Sequence, residues 1–228
     1  MTRNWFWKHV FVAQGALLIS AGANAAMMPF TERFGDTPAT GLAPWLTATF
    51  DAQPDPNTVR LTVMASGMGS LGMADITELY FNFGLDPDDL SFARVPLEEA
   101  GNVGTILFQA GEDAYRADGD GFFDIFFDLP TSPDDGRMNA GESIVFDISY
   151  TGPISATDFF VLSAPGPGVD NPGPFLAAAH LQSTGPHPYE GSDWVAAVPI
   201  PAAIWLFASA LGMLGFAARR RRHAVAAA

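Results

Sequence analysis

Apolar and polar residues alternate with a period of two along much of the middle of the chain. Within residues 58–65, Val59, Leu61 and Val63 are separated by polar residues. Successive side chains of a strand point to opposite faces of its sheet, so the pattern predicts a strand with one buried face. The same argument aligns Ile144, Phe146, Ile148 and Tyr150 on one face of residues 142–150.

The most aromatic segment, residues 121–129, alternates in the same way. It places Phe123, Ile125, Phe127 and Leu129 on one face, and Asp124, Phe126 and Asp128 on the other. Such a strand would promote aggregation if exposed, so we expect a central position with Asp124 and Asp128 facing solvent. Further strands are predicted at residues 78–84, 103–110, 157–164 and 175–183.

The segments between these strands are rich in residues that form turns. Glycine supplies positive φ, proline fixes φ, and aspartate and asparagine cap the backbone, as at residues 84–89 and 116–121. Seven to nine short strands with such turns predict an all-β fold, a two-sheet β-sandwich of jelly-roll or immunoglobulin-like form. We place this domain at residues 26–184 and a linker at residues 185–197.

The first 25 residues have the layout of a secretory signal peptide. Arg3 and Lys8 precede an apolar run at residues 10–19, and Ala23 and Ala25 supply the small residues of a cleavage site. We expect the general secretion machinery to export the chain and signal peptidase to cleave it after Ala25. A retained membrane helix would need about 20 apolar residues, more than this run contains.

The charge and the lack of cysteine argue against several classes of function for this protein. Residues 32–193 hold all 25 acidic residues and five of the 11 basic ones, a formal charge of −20. That charge repels phosphate backbones and is compatible with divalent cations, so we expect no nucleic-acid partner. The chain has no cysteine, which excludes a disulfide scaffold, a cysteine nucleophile and an acylated cysteine.

One acidic loop is a candidate calcium site, formed by Asp118, Asp120 and Asp124. Calcium takes about six to eight oxygen ligands, which alternate aspartates in a glycine-bearing loop can supply in part. The match to a calcium-binding loop is incomplete, because Arg116 and Phe127 occupy its first and last ligand positions. The alternative is a turn whose aspartates cap the backbone. No other cofactor is predicted.

Signatures of catalysis are weak in the middle of the chain. No serine stands in a nucleophile motif, and with 25 acidic residues any carboxylate pair suited to glycoside hydrolysis is uninformative. His180 is predicted to be a strand residue bonded to a neighbour. Trp45, Phe126 and Trp194 are candidate exposed aromatics that could stack on sugar rings, although packing is the commoner explanation for such residues. We therefore expect a protein that is not an enzyme.

The C-terminal region combines two prolines, an uncharged segment and an arginine cluster. Pro199 and Pro201 precede residues 202–218, which contain no charge. A helix over that segment would be about 25 Å long, barely enough for a bilayer core of about 30 Å. The four arginines at residues 219–222 would hold this end in the cytoplasm by the positive-inside rule, with the acidic middle outside.

This order of features resembles the PEP-CTERM sorting signal of Gram-negative bacteria, in its V-P-x-P-A variant. The motif residues are Val198, Pro199, Ile200, Pro201 and Ala202. The matching helix and stop residues are Trp205, Leu206, Phe207, Ser209, Gly212, Gly215, Arg219, Arg220, Arg221 and Arg222. The resemblance covers residues 198–222 and leaves residues 223–228 without an interpretation. It implies recognition by an exosortase, a membrane-embedded cysteine protease and transpeptidase-like enzyme, with processing near the proline motif.

The resemblance implies an exported protein that is held briefly in the inner membrane and then sorted to the cell surface or extracellular matrix. Exosortase systems accompany exopolysaccharide production and biofilm formation, so the implied role is a structural or adhesive matrix component. Three alternatives stay open: a carbohydrate-binding sandwich with or without calcium, a secreted glycoside hydrolase, and a permanently anchored membrane protein.

Overall fold

Strands account for nearly all regular structure in the part of the chain that the computed structural model describes. That part comprises residues 25–35, 42–68, 74–118, 120–132, 135–166, 173–185 and 190–199. It contains no α-helix, and short 3-10 helices lie at Pro87–Asp89, Pro96–Glu98 and Ala156–Phe159. Its strands are β1 (Ala25–Arg33), β2 (Leu46–Ala52), β3 (Thr58–Met64), β4 (Asp75–Phe81), β5 (Ser91–Arg94), β6 (Leu107–Ala117), β7 (Asp120–Asp128), β8 (Met138–Asn139), β9 (Ser143–Ser149), β10 (Ala177–Gln182) and β11 (Ser192–Ala197). The predicted all-β class is confirmed.

Ten of these strands form one antiparallel ladder in the order β5-β9-β3-β2-β1-β11-β10-β4-β7-β6, and β8 pairs with β4 outside this path. The ladder curls until its two ends face each other. The Phe127 ring of β7 lies 5.1 Å from the Phe146 ring of β9 and 5.4 Å from the Phe92 ring of β5, measured between centroids. The result is a sandwich or barrel-like fold with the main core between its layers.

The predicted alternation accounts for much of that core. Val59, Leu61 and Val63 of β3 are buried, as are the apolar residues at positions 144, 146 and 148 of β9. Burying a side chain of this size stabilises the fold by about 1.5–3 kcal/mol. β7 pairs with β4 on one side and β6 on the other, which confirms its predicted interior position in the sheet.

The pairing of β6 with β7 contains a bulge that moves Phe123 off its predicted face. Residues 111–114 of β6 lie opposite the single residue Asp124 of β7, and Asp113 has a positive φ of 49°. The alternation of β7 therefore breaks here, and Phe123 packs against Tyr80 with ring centroids 5.6 Å apart. Phe123 belongs to a second buried cluster outside the main core, so its predicted place on the main core face is wrong.

Residues 157–164 do not form the predicted strand. A 3-10 helix occupies Ala156–Phe159, and Ser155 caps its start by donating from its backbone N to Asp158 Oδ2 at 2.7 Å. Bonds between side chains and nearby backbone compete with strand pairing, which explains the difference. The Phe159 ring still reaches the main core.

The predicted linker at residues 185–197 is wrong, because this segment contains an interior strand. Gly185 N donates to Glu190 O at 2.7 Å and closes the hairpin between β10 and β11. β11 then pairs with β10 on one side and β1 on the other, which buries Val195 and Ala197. The turn-forming residues thus mark a hairpin inside the domain rather than a tether after it.

The predicted signal peptide and tail lie almost entirely outside the described residues. β1 starts at Ala25, the residue predicted to precede signal cleavage. Residues 1–24 and 200–228 lie outside the described residues, so the signal peptide and the C-terminal membrane helix stay predictions. Among the residues that are described, no helix is long and apolar enough to cross a membrane.

Candidate functional site

The two halves of the sheet carry different side chains on their outer faces. On β2, β3 and β9 that face is polar: Thr49 pairs with Thr62, and Arg60 Nε donates to Asp147 Oδ1 at 2.8 Å. On β4, β6, β7, β10 and β11 it carries aromatic rings instead. We call this second surface the aromatic face, defined by Phe34, Tyr80, Tyr115, Phe126, His180 and Trp194.

Strand register aligns the aromatic face across neighbouring strands. His180 of β10 lies opposite both Trp194 of β11 and Glu78 of β4. Two residues further along β4, Tyr80 lies opposite Phe126 of β7. Because alternate residues of a strand share a face, these two rows lie side by side on one surface.

Ring contacts connect the aromatic face into a continuous strip. The ring centroids are 5.8 Å apart for Phe34 and Trp194, and 5.8 Å apart for Trp194 and Tyr80. They are 5.0 Å apart for Tyr80 and Phe126, and 5.7 Å apart for Phe126 and Tyr115. Tyr80 is buried, whereas the other four rings are half-buried and so stay partly accessible to a ligand.

Carboxylates lie beside the strip. Tyr80 Oη donates to Glu78 Oε2 at 2.7 Å. Burial raises the pKa of Tyr80, and the hydrogen bond to Glu78 raises it further, so the phenol stays protonated and holds the carboxylate in place. Asp128, opposite Glu78 on β7, is exposed. The strip is therefore bordered by hydrogen-bond acceptors.

His180 lies flat against Trp194, with ring centroids 4.6 Å apart and planes inclined by 24°. Its Nδ1 is 2.9 Å from Thr77 Oγ1, which confirms the predicted strand residue bonded to a neighbour. Burial lowers the pKa of His180, and nearby carboxylates, first among them Glu78, oppose that shift. The imidazole is therefore neutral at pH 7 and can donate or accept a hydrogen bond.

This combination of groups suits a ligand with apolar faces and polar edges. A sugar ring presents C–H groups on its faces and hydroxyls around its rim. Aromatic rings with accessible faces can pack on the C–H groups, while carboxylate and imidazole groups bond the hydroxyls.

Two of the three candidate aromatics lie on the aromatic face, namely Phe126 and Trp194. Trp45 is 6% exposed and belongs to the main core, so packing is the explanation that holds for it. It precedes β2, and its backbone N donates to Phe30 O at 3.2 Å, which continues the pairing of β1 with β2. Sequence reasoning missed Tyr115, whose only signal was its place directly before the aspartate-rich turn at residues 116–121.

The residues predicted to bind calcium have different environments. Asp124 is 8% exposed and accepts backbone hydrogen bonds from Phe83 N and Asp113 N, both at 2.9 Å. Its predicted solvent-facing position is wrong, because the carboxylate closes the bulge in β6. Asp118 is exposed, and the side chain of Asp120 lies outside the description. The described side chains include no cluster of three potential metal ligands, and the calcium site stays a prediction.

The structure describes two residues of the predicted sorting motif. Val198 is half-buried against the second cluster, and Pro199 is exposed. Ala23 and the motif, helix and stop residues from Ile200 to Arg222 lie outside the described residues.

Comparisons with known proteins place the chain in no family. No family model matches it, and no curated protein matches it. It is similar to biomass-sensing modules of Rsgi-like proteins from Clostridium thermocellum, which resemble the family 3 carbohydrate-binding module of the cellulosome. The identity is 13%, the match covers 78% of this chain and 99% of the module, and the TM-score is 0.28. It is also similar to a family IIIa CBD from Clostridium cellulolyticum, with 16% identity over 68% of this chain and 89% of that one and a TM-score of 0.26. Both TM-scores lie below 0.5.

Proposed function

We propose that this chain is an exported β-sandwich that binds a polysaccharide through its aromatic face and does not cleave it. The observation that carries the proposal is a strip of rings in contact, in which four half-buried rings are joined through the buried Tyr80 and are bordered by carboxylates and a neutral imidazole. A binding role fits the surface or matrix component that the sequence suggests.

The extent of the strip favours a polymer over a single sugar. It runs from Tyr115 on β6 to Trp194 on β11, across β7, β4 and β10. Neighbouring strands lie about 4.8 Å apart, so the strip is about 19 Å long, enough for several sugar units. A ligand that contacts several rings at once gains affinity from each of them.

The charges around the strip favour a neutral polysaccharide. Glu78 and Asp128 lie directly beside the rings, and the middle of the chain carries a formal charge of −20. An anionic polymer would be repelled by these carboxylates unless calcium bridged the two. We therefore expect neutral glucans or mannans to bind without calcium and uronic-acid polymers to bind weakly or only with it.

Affinity electrophoresis through gels containing neutral or anionic polysaccharides tests the proposal. The chain should be retarded by a neutral polymer, and Trp194→Ala or Phe126→Ala should abolish most of the retardation. Phe108→Ala is the matched control, since Phe108 is 43% exposed and packs on Phe92 away from the aromatic face. Unretarded migration in every gel, with and without calcium, would overturn the proposal, and release of reducing sugar would assign hydrolysis instead.

As a second proposal, we infer that the tail directs sorting by an exosortase and is then removed. The support is the resemblance of residues 198–222, together with the place where the fold ends. Ala197 is buried, Val198 is half-buried and Pro199 is exposed, so the proline motif begins where chain leaves the sheet. A processing enzyme could reach it without unfolding β11.

Mass spectrometry of the native surface form tests the sorting proposal. We expect an N-terminus at residue 26 and a C-terminus near the proline motif. A mature surface protein that still contains Arg222 would refute removal of the tail and favour a permanent anchor.

A further inference from the structure

The chain leaves the fold beside an exposed apolar cleft. The cleft measures about 440 Å³ and is lined by Met27, Pro29, Phe160, Leu162, Leu176 and Pro199. Met27 is 60% exposed and Leu162 is 43% exposed. Large apolar side chains grouped in this way usually mark a surface that contacts a partner or a membrane.

Both predicted membrane-directed segments meet the fold at this place. β1 and β11 are antiparallel neighbours with Phe30 opposite Ala197, so the chain beyond Ala197 runs beside β1 toward Ala25. The predicted signal peptide precedes Ala25, and the predicted tail follows Pro199. The two connections to the membrane therefore leave the fold from adjacent strands.

The short stretch of chain between Pro199 and the predicted membrane segment would keep the cleft close to the bilayer. Only two residues separate Pro199 from Ala202, where the uncharged segment begins. Three steps of extended chain span at most about 11 Å. The uncharged segment, about 25 Å long as a helix, is already short for a bilayer core of about 30 Å. It therefore has no extra residues that could extend out of the bilayer and separate the domain from the lipid surface.

We propose that the apolar cleft rests on the lipid surface while the tail is still in the membrane, with Met27 and Leu162 inserted among the lipids. This inference rests on the proposed membrane tail. Exposed apolar side chains insert favourably at the boundary between headgroups and acyl chains. Thr49 lies opposite Met27, and Asp51, two residues further along β2, shares the face of Thr49. A carboxylate on the face of Met27 favours a neutral lipid surface over an anionic one.

Lipid quenching of a single fluorescent label tests the proposal on residues 26–228, which lack the predicted signal peptide and keep the tail, in phosphatidylcholine vesicles. The chain has no cysteine, so Met27→Cys provides a unique site for an environment-sensitive dye. Leu107→Cys is the matched control, because Leu107 is 59% exposed and lies on β6, four strands from β11 in the ladder. Spin-labelled lipids should quench the dye at position 27 at least about twofold more than the dye at position 107.

Flotation of the same vesicles separates the two possible failures. If the chain does not float with the vesicles, the proposed membrane tail is wrong. If it floats and both labels are quenched equally, the tail stands and the lipid-contacting cleft is overturned. The proposal would also be overturned if, without lipid, the chain had the mass of a dimer and the dye at position 27 reported an apolar environment. That result would assign the cleft to contact with a second copy of the chain.

Discussion

At the scale of single residues, Asp124 shows how position in a strand can mislead about a carboxylate. The alternation of β7 placed it on the solvent side with Asp128, yet it lies 8% exposed beneath the bulge of β6. Its two oxygens accept backbone hydrogen bonds from two different segments. It therefore fixes the local shape of the sheet next to the aromatic face.

Replacing this carboxylate should destabilise the fold far more than replacing its neighbour on the same strand. Asp124→Ala leaves two backbone N–H groups without their acceptor, which should lower the free energy of unfolding by about 2–4 kcal/mol. Asp128→Ala alters an exposed residue and should change it by less than about 0.5 kcal/mol. Urea denaturation of residues 26–199 measures both, and equal effects would show that Asp124 does not hold the bulge.

His180 should make stability depend on pH in the mildly acidic range. Burial lowers its pKa in the fold, so the unfolded chain, with an ordinary value of about 6.5, binds the proton first. Its contribution is fully present above that value and is lost as pH falls below it. Between pH 7 and pH 5 the native chain should lose more unfolding free energy than His180→Gln. Parallel losses in the two proteins would show that this imidazole is not responsible.

Among the strands, β11 determines where the folded domain ends. It joins the two halves of the ladder, with β1 and β10 on its two sides. Arg33 Nε donates to the buried Asp193 Oδ2 at 2.6 Å, which adds an ion pair to the backbone ladder between β1 and β11. The folded domain therefore extends to the edge of the proline motif.

Truncation at the boundary that the sequence predicts should prevent folding. A chain of residues 26–184 lacks β11 and leaves the edges of β1 and β10 without their partner. Residues 26–199 should unfold cooperatively on heating, whereas residues 26–184 should show no cooperative transition and should be digested rapidly by protease. Circular dichroism and limited proteolysis measure this, and a cooperative transition in the shorter chain would contradict the interior place of β11.

Elements with a strong alternation of bulky and polar residues were predictable, and those with small residues were not. β3 and β9 follow from their valines, isoleucines and phenylalanines. β2 consists largely of alanine and threonine, and β11 ends in small apolar residues. Their sequences show no clear alternation of bulky and polar residues, so their burial follows from the strands they pair with. The bulge between β6 and β7 depends on tertiary contacts in the same way.

The aromatic face was only partly predictable for a related reason. The segments at residues 78–84 and 121–129 contain aromatic residues on both faces, and that composition singled out Phe126. The neighbours Tyr80, His180 and Trp194 come together only through the order β7-β4-β10-β11, which joins strands distant in sequence. Strand order of this kind cannot be deduced from periodicity.

At the scale of the whole molecule, the fold separates its surfaces by chemistry. One outer face is polar and paired, the other is aromatic, and the chain leaves the domain beside an apolar cleft. This arrangement would let the protein meet the membrane with one surface while the aromatic face stays available to a polysaccharide.

Tryptophan emission during a saccharide titration tests whether a polysaccharide binds at the aromatic face. Of the five tryptophans, only Trp45 and Trp194 lie within residues 26–199. In Trp45→Phe the remaining reporter is Trp194 on the aromatic face, and in Trp194→Phe it is the core residue Trp45. We predict a saturable change in emission with a neutral oligosaccharide for Trp45→Phe and none for Trp194→Phe. Oligosaccharide binding that leaves the emission of Trp194 unchanged, or no binding to any saccharide, would contradict the account.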